Sequence, residues 1–220
     1  MKRLKKAIDG YAMISRGYPL VDTALERFRY VITRAVQERG LSKILDVGCG
    51  TGTQVLKLRA AGLCAVGIDI SPAMLRHAAT RVPGGASSFV LGDGSRLPFS
   101  DHAFDGLVLS FTLHEKPHSQ RLAILAEGRR VLKPGGTVVV LDYVRPARVH
   151  GRFLSLFLSG IERMAGRAHY HAFCDYLQRG ATEGVLHAAG LQLLRCTFGL
   201  QGTVGLFEGR WETPHPERFE

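Results

Sequence analysis

Between Leu41 and Tyr143, short β-prone runs alternate with helix-prone runs, and this alternation restricts the possible folds more than any other feature of the chain. A repeated strand–helix order is typical of a parallel sheet that carries helices on both faces. The segments 191–198 and 203–207 also favour strands, but no helix is predicted between them. The sequence therefore predicts an α/β fold with an open, mostly parallel seven-stranded sheet and an antiparallel strand pair at its C-terminal end.

The element boundaries follow from turn residues such as Gly62, Ser71-Pro72 and Pro134-Gly135-Gly136. Glycine favours the end of a helix, whereas serine followed by proline favours its beginning. The predicted parallel strands are 43–47, 63–68, 87–91, 106–110 and 137–141, and the predicted helices are 23–38, 53–61, 72–81, 119–132, 153–164 and 175–189.

A glycine-rich loop, Gly48-Cys49-Gly50-Thr51-Gly52, falls where the first predicted strand turns into a helix. Glycines allow a tight turn there and let a ligand approach the backbone closely. The dinucleotide-binding fingerprint, Gly-x-Gly-x-x-Gly, would place its third glycine at Thr53, one residue after Gly52. The loop therefore predicts a nucleotide-like ligand, its spacing argues against a dinucleotide, and a loop that merely turns tightly stays open.

Acidic residues follow the next two predicted strands. Asp69 ends the second strand about twenty residues after the loop, where a carboxylate can accept hydrogen bonds from both hydroxyls of a ribose. Asp93 follows the third strand within Gly92-Asp93-Gly94-Ser95, where it can accept a hydrogen bond from an adenine amino group. Because the ends of successive parallel strands border one crevice, the three turns together predict a site for an adenosine-containing ligand.

Five segments resemble the motifs of class I S-adenosylmethionine (SAM)-dependent methyltransferases, in particular the group that acts in ubiquinone and menaquinone biosynthesis. They are 45–52, 66–71, 92–99, 104–115 and 130–136, in that order. The resemblance covers about 41–143 and implies a Rossmann-like fold with SAM as the cofactor. It also implies a SAM-binding domain over 41–220, an N-terminal helical cap over 1–40, and a helical insertion near 146–175 that covers the methyl acceptor.

By this resemblance, Asp46 and the backbone of the glycine loop hold the methionine part of SAM. Asp69 would bind the ribose, and Asp93 with Gly94 would bind adenine. Met74 would pack against the adenine face, with an ordinary core methionine as the equal alternative. The predicted cofactor-binding residues are Asp46, Gly48, Cys49, Gly50, Thr51, Gly52, Asp69, Ile70, Met74, Asp93, Gly94 and Ser95, together with Ser110 and Phe111 at the sulfonium end.

Catalytic residues leave little trace in such a sequence, because SAM carries an activated methyl group and alignment supplies much of the rate. A general base is needed only for an acceptor that is protonated. His114, at the exit of the fourth strand, is the candidate base, with a capping or loop-holding role as the alternative. Asp142, at the end of the fifth strand, is a candidate contact to the acceptor. No metal site is predicted, since His169 and His171 would share a face only on a strand.

The residues after the fourth strand argue against several classes of acceptor. Ser110-Phe111-Thr112-Leu113 lacks the proline pair of enzymes that methylate exocyclic base nitrogens, and no spaced glutamates follow it as in arginine methyltransferases. The Pro-Cys pair of cytosine C5 methylation and the Asp-Asn metal clamp of catechol O-methylation are also missing. A small-molecule or lipidic acceptor remains. A quinone precursor is the leading hypothesis, although Tyr11–Ser15 only loosely resembles the quinone methyltransferase signature.

An apolar run over 153–161, with Arg148, Arg152 and Arg163 nearby, could shelter a prenyl chain, contact an anionic membrane at its surface, or simply pack in the core. Positive charge is otherwise spread along the chain. Lys and Arg exceed Asp and Glu by 29 − 19 = 10, but no long basic block occurs. DNA is therefore not an expected partner, and RNA is a disfavoured one.

Four widely separated cysteines without a Cys-x-x-Cys pair predict reduced thiols in a cytoplasmic protein. The basic start is not followed by an apolar run, so no signal peptide is expected, and no run reaches the roughly 18 apolar residues of a membrane span. A monomer or homodimer is expected. Three alternatives stay open, namely an RNA methyltransferase, a non-catalytic SAM-binding protein and an NAD-dependent oxidoreductase.

Overall fold

The structure is a computed structural model, and it describes residues 26–81, 88–145, 163 and 166–212. Within those residues, seven strands form one sheet. The strands are β1 (Lys43–Val47), β2 (Cys64–Asp69), β3 (Phe89–Leu91), β4 (Phe104–Ser110), β5 (Leu132–Tyr143), β6 (Gln192–Gly199) and β7 (Val204–Arg210). The α-helices described are α1 (Glu26–Glu38), α2 (Thr53–Ala60), α3 (Pro72–Ala79), α4 (His118–Val131), α5 (Arg167–Gln178) and α6 (Ala181–Ala188).

The strand order across the sheet is β3-β2-β1-β4-β5-β7-β6. Strands β1 to β5 pair in parallel, and β7 runs antiparallel to both β5 and β6. The chain builds the sheet outward from β1 to β3 and then returns to place β4 on the other side of β1. That reversal creates a crevice at the carboxyl ends of β1 and β4, where open α/β sheets bind ligands. The predicted Rossmann-like fold with an antiparallel C-terminal pair is confirmed.

Both faces of the sheet are buried, which explains why its central strands read as continuous apolar runs. Successive side chains of a strand point to opposite faces, so Ile44 and Leu45 belong to different apolar clusters. Ile44 packs on the side of α1 and α2, near Val36 and Val55. Leu45 packs in the cluster that includes residues of α4 and α6. The helices thus hold the central strands, and with them the crevice, from two sides.

One helix boundary was predicted wrongly. The helix expected over 175–189 is two helices, α5 and α6, and α5 begins earlier, at Arg167. The break lies at Gly180 and Ala181, whose φ angles are +90° and +54°. These left-handed residues turn the chain so sharply that a Cβ on Gly184 would lie 1.8 Å from the Arg179 carbonyl oxygen. The chain therefore forms two helices joined by a sharp turn, which we call the helical hairpin, instead of one long helix.

The fifth strand begins earlier than predicted, at Leu132 instead of residue 137. Pairing with β4 passes from Phe104–Leu132 to Gly106–Thr137, so the residues between Leu132 and Thr137 form an irregularity in the ladder. The remaining boundaries of described elements differ from the prediction by a few residues. The expected helix over 153–164, apart from Arg163, and positions 1–25 of the N-terminal cap lie outside the described residues.

No helix among the described residues is both long enough and apolar enough to cross a membrane.

Candidate functional site

The glycine loop connects β1 to α2 in a conformation that requires glycine. Gly48, Gly50 and Gly52 have φ angles of +77°, +53° and +73°. A Cβ on Gly48 would lie 2.6 Å from the hydroxyl oxygen of Thr112, and one on Gly52 would lie 2.4 Å from the ring of Phe89. Within the described ranges, no side chain caps the N-terminus of α2 at Gly52. The loop therefore turns tightly at the carboxyl end of β1 and allows a ligand to approach its backbone closely, while the N–H groups of Gly48 and Gly52 bond within the fold to the carbonyls of Ile68 and Cys49.

Asp69 holds the glycine loop in place from the end of β2. Its Oδ2 accepts a hydrogen bond from Gly50 N at 2.8 Å, and its Oδ1 accepts one from Ser71 N at 2.8 Å. Burial raises the pKa of Asp69, and the two backbone donors partly oppose this. Each carboxylate oxygen has a second lone pair. Asp69 is therefore able to bind ribose hydroxyls while it fixes the loop.

Asp46 lies deeper in the crevice and is only 1% exposed. No described group donates a hydrogen bond to its Oδ1. Burial and the negative charge of Asp69 raise the pKa of Asp46 to about 7, whereas Arg29 acts to lower it. A buried carboxylate oxygen without a partner is costly in free energy. An ammonium group placed beside it would satisfy the oxygen and favour its charged form.

The third turn of the crevice is held by its own side chains. Asp93 Oδ1 accepts hydrogen bonds from both the backbone and the hydroxyl of Ser95, at 2.9 and 2.8 Å. A Cβ on Gly94 would lie 2.6 Å from a methyl group of Val47, so this turn approaches the end of β1 closely. The three predicted turns thus meet around one crevice. Met74, on α3, is almost completely buried.

The exit of β4 carries a strained residue. Phe111 has φ of +50°, a left-handed value that is rare for a bulky side chain. Its ring makes edge contacts with Phe28 and Tyr143, at centroid distances of 5.8 and 5.5 Å. The next residue, Thr112, donates from its hydroxyl to the carbonyl of Val47. The exit of β4 is therefore fixed against the glycine loop.

His114 and Asp142 form a buried pair at the ends of β4 and β5. His114 Nδ1 lies 2.7 Å from Asp142 Oδ1, and Tyr143 N donates to the same oxygen at 2.8 Å. Asp142 Oδ2 accepts from the backbone N–H groups of Leu113 and His114, at 2.9 and 3.2 Å. The Asp142 side chain is 0% exposed, so its effect on the site is exerted through its hydrogen bonds to the His114 ring and to the backbone at Leu113, His114 and Tyr143. With Nδ1 donating, Nε2 is the nitrogen of a neutral imidazole that can accept a proton.

Five rings contact His114 edge to face, and we call them the aromatic cluster. Their centroids lie 4.8–6.5 Å from that of the imidazole. Two come from the ends of β4 and β5 and three from α5. The rings belong to Phe111, Tyr143, His169, Phe173 and Tyr176. The cluster makes an apolar surround for a polar, proton-accepting group.

A charged group of side chains borders the aromatic cluster. Glu115 pairs with Lys116 at 2.5 Å and lies 3.7 Å from His169 Nδ1. His169 and His171 both lie on α5, a helix, so they do not share a face in the manner of a strand. No group of three or more potential metal ligands occurs among the described residues.

Sequence reasoning missed two buried arginines near the site. Arg29 occupies the core-facing side of α1 with Ile32 and Val36, and its charge favours ionised Asp46. Arg121 occupies the core-facing side of α4 and is 0% exposed. A charged residue at an apolar position of a helical repeat was the available signal in both cases.

The chain is similar in sequence to known methyltransferases. The family described as "Methyltransferase domain" matches residues 44–136. A demethylmenaquinone methyltransferase of Beutenbergia cavernae is 31% identical over 195 residues, covering 80% of this chain and 79% of the relative. The corresponding Thermotoga maritima enzyme is 32% identical over 166 residues, or 71% of each chain. An uncharacterized methyltransferase of Synechocystis is 35% identical over 137 residues, covering 62% of this chain and 64% of the relative.

Solved structures share the fold at lower identity. A Pyrococcus horikoshii protein has a TM-score of 0.68 at 20% identity, covering 87% of this chain and 91% of its own. The magnesium protoporphyrin IX methyltransferase of Synechocystis was solved with S-adenosylhomocysteine (SAH). It has a TM-score of 0.61 at 16% identity, and the match covers 84% of this chain and 83% of the Synechocystis chain. The glycine turn that a Cβ would fill and the unpartnered Asp46 oxygen fit SAM. The match to methyltransferases, and not the site geometry alone, argues against the NAD-dependent oxidoreductase alternative. The chain belongs to the class I SAM-dependent methyltransferases, in the family that includes the demethylmenaquinone methyltransferases.

Proposed function

We propose that the chain transfers the methyl group of SAM to a small aromatic acceptor of the quinone-precursor kind, and that His114 accepts the proton this acceptor loses. The observation that carries the proposal is the buried His114–Asp142 pair inside the aromatic cluster. The loop that bears His114 is anchored through Thr112 to the end of β1, where the glycine loop begins. A proton acceptor and a cofactor site are thus held by one rigid corner of the sheet.

The chemistry asks little more of the protein than alignment and proton removal. SAM supplies an electrophilic methyl group on a sulfonium. The acceptor carbon or oxygen gains that methyl group, its proton passes to His114 Nε2, and SAH is released. Asp142 orients the imidazole through Nδ1 and stabilises the imidazolium that forms. This assigns Asp142 a positioning role, in place of the direct acceptor contact expected from the sequence.

The aromatic cluster is an argument for an acceptor that is planar and largely apolar. Rings that meet a planar ligand edge to face or in offset stacks bind it with favourable quadrupole contacts. The similar proteins of Beutenbergia cavernae and Thermotoga maritima are demethylmenaquinone methyltransferases, a name that indicates a quinone-type acceptor. The apolar run over 153–161, which the sequence suggests as cover for a prenyl chain, lies outside the described residues.

The cofactor-binding assignment is part of the same proposal. Asp46 and the glycine loop take the methionine end of SAM, Asp69 takes the ribose, and Asp93 with Gly94 takes adenine. In this arrangement Ser95 acts through the Asp93 carboxylate that it holds. The remaining members are Ile70 and Met74 on the adenine side, and Ser110 and Phe111 at the sulfonium end.

The test is methyl transfer from labelled SAM to a prenylated naphthoquinol, compared between the wild type and His114→Gln. Loss of the base should lower kcat by about 10²–10⁴-fold while SAH affinity, measured by calorimetry, stays near that of the wild type. His187→Gln is the matched control, because His187 is exposed on α6. Equal turnover in His114→Gln would remove the base role. Transfer to RNA but to no quinol would favour an RNA methyltransferase, and SAH binding without any transfer would favour a non-catalytic SAM-binding protein.

A further inference from the structure

Arg121 is the largest fully buried side chain among the described residues, and the proposed reaction does not use it. It lies on α4 and is 0% exposed. Taking a guanidinium out of water costs several kcal/mol unless its N–H groups find well-placed acceptors. Hydrophobic residues of similar volume would fill the same space at no such cost. The directions in which Arg121 donates are therefore informative.

Each nitrogen of Arg121 donates to a different acceptor. Nε donates to the carbonyl oxygen of Leu113 at 3.0 Å, and Nη1 donates to Asp175 Oδ2 at 2.8 Å. Nη2 donates to the carbonyl oxygen of Ala172 at 2.5 Å. The guanidinium also lies 5.0 Å from the centroid of the Tyr176 ring. Because the guanidinium is planar and rigid, these acceptors are held in fixed relative positions.

The first of these acceptors belongs to the peptide that joins Leu113 to His114. The carbonyl of that peptide accepts from Arg121, and its N–H donates to Asp142 Oδ2 at 3.2 Å. A planar peptide gripped at both ends cannot rotate about its neighbouring bonds. Since this peptide leads directly into the Cα of His114, Arg121 and Asp142 together set the direction in which the imidazole leaves the backbone.

The other two acceptors lie on α5, which supplies part of the aromatic cluster. Ala172 directly precedes Phe173, and Asp175 directly precedes Tyr176. The rings of Phe173 and Tyr176 contact the imidazole of His114. One side chain therefore grips both the backbone of the proposed base and the helix that forms the wall around it. Neither grip alone would require an arginine, but the two together match its fork of donors.

We infer that Arg121 is a positioning residue that holds the His114 peptide and α5 in one fixed relation, so that the proton acceptor and the wall of the acceptor pocket stay in register. This inference rests on the proposed role of His114 as the base. It differs from a purely structural role in one measurable respect. A structural arginine affects the amount of folded protein, whereas a positioning arginine changes the state of the His114 ring in protein that remains folded and binds cofactor.

The experiment compares Arg121→Lys and Asp175→Asn with the wild type. Lysine keeps the positive charge but loses the planar fork, so it cannot serve three acceptors in fixed directions. Arg179→Gln is the matched control, because it removes a donor to the other oxygen of Asp175 and leaves in place the hydrogen bonds of Arg121 to the carbonyls of Leu113 and Ala172. SAH affinity, kcat and KM are measured for each variant. Nitrogen-15 NMR of labelled histidine follows the His114 ring, assigned by its loss in His114→Gln.

SAH affinity should stay within about twofold in all variants, while kcat falls on the order of ten- to hundredfold in Arg121→Lys and less in Asp175→Asn. The Nδ1 resonance of His114 should move or broaden in Arg121→Lys and remain unchanged in Arg179→Gln. Wild-type kcat and an unchanged resonance in Arg121→Lys would overturn the inference, and so would a fall in SAH affinity as large as the fall in kcat. Undiminished turnover in His114→Gln would instead overturn the proposed function, and the resonance would then still report on Arg121.

Discussion

Asp46 is the residue of the crevice whose charge is most disfavoured by burial. Its carboxyl is buried and faces the like charge of Asp69, and one of its oxygens receives no hydrogen bond from the part of the chain that the structure describes. These conditions favour the neutral acid, and the pKa of Asp46 rises to about 7. Near neutral pH the protonated and the ionised forms of Asp46 are therefore both populated in the free protein. A cationic ligand group would displace the proton of the protonated form.

SAH affinity should therefore rise with pH until Asp46 is ionised in the free protein. Below a pKa of about 7, binding must release a proton, so affinity should be about tenfold weaker at pH 6 than at pH 8 and nearly level above pH 8. Isothermal titration across pH 6–8 measures this slope, and repeating it in buffers of different ionisation enthalpy counts the released protons.

Asp46→Asn is the control for that prediction, because asparagine has the same shape but does not titrate. The variant should bind SAH weakly and without the slope, and a slope that persists would assign the proton to another group.

The stability of the folded protein should depend on pH in the opposite direction to SAH affinity. The folded pKa of Asp46 lies above its unfolded value, so its contribution to stability is present at low pH and is lost as pH rises through about 7. Cofactor-free Asp46→Asn should accordingly be the more stable protein at pH 8.

Residues at strand ends could be predicted from sequence because strand order alone brings them together. Asp69, Asp93 and His114 fall at carboxyl ends of parallel strands, and the fold then fixes their neighbourhood. Arg29 and Arg121 could not be placed this way. They lie on helices, and their partners come from segments distant along the chain, so only the packed structure identifies what they contact.

At the scale of elements, the helical hairpin of α5 and α6 depends on the absence of one side chain. A Cβ at Gly184 would lie 1.8 Å from the carbonyl oxygen of Arg179, a backbone atom that cannot move without opening the turn. Sequence patterning predicted one helix there, since apolar residues recur at helical spacing through 175–189. Periodicity reports the buried face but not a close contact between backbones, which is why the break was missed.

Gly184→Ala should destabilise the protein by about 1–3 kcal/mol, the usual cost of forcing extra atoms into a packed site. Chemical denaturation measures the change in the free energy of unfolding. Gly199→Ala is the matched control, because Gly199 is in extended backbone and its Cβ would meet Phe28 only at 3.9 Å. A cost below about 0.5 kcal/mol for Gly184→Ala would show that the hairpin adjusts freely.

At the scale of the whole molecule, α1 and the C-terminal strand pair are joined by a charged network. Glu208, on β7, is almost completely buried and accepts a hydrogen bond from Arg39 Nε at 2.7 Å. Arg195, on β6, lies 3.4 Å from the second oxygen of Glu208 and also donates to Glu38 at 2.7 Å. The network spans most of the described chain, from the end of α1 to the last strand.

Arg39→Gln should cost about 1–3 kcal/mol of stability, because it leaves the buried Glu208 carboxylate short of a cation. Part of this loss should return in the double variant Arg39→Gln/Glu208→Gln, which removes the buried charge as well. Arg34→Gln is the comparison, since Arg34 forms a largely exposed pair with Glu38 and its loss should change stability much less than the loss of Arg39. Equal effects of the two single variants would remove the special role of the buried carboxylate.

The attachment of α5 has a consequence for how such a protein can diversify. Every proposed cofactor contact precedes Tyr143 in the chain, whereas α5 follows it and is joined through Arg121 to the loop that bears His114. Under the proposed function, replacing the α5 members of the aromatic cluster changes the surroundings of His114 without altering any proposed cofactor contact, provided that an acidic residue is kept at position 175. We expect that the acceptor preference of such a protein can change through substitutions in this one helix, while Arg121 keeps the helix in place.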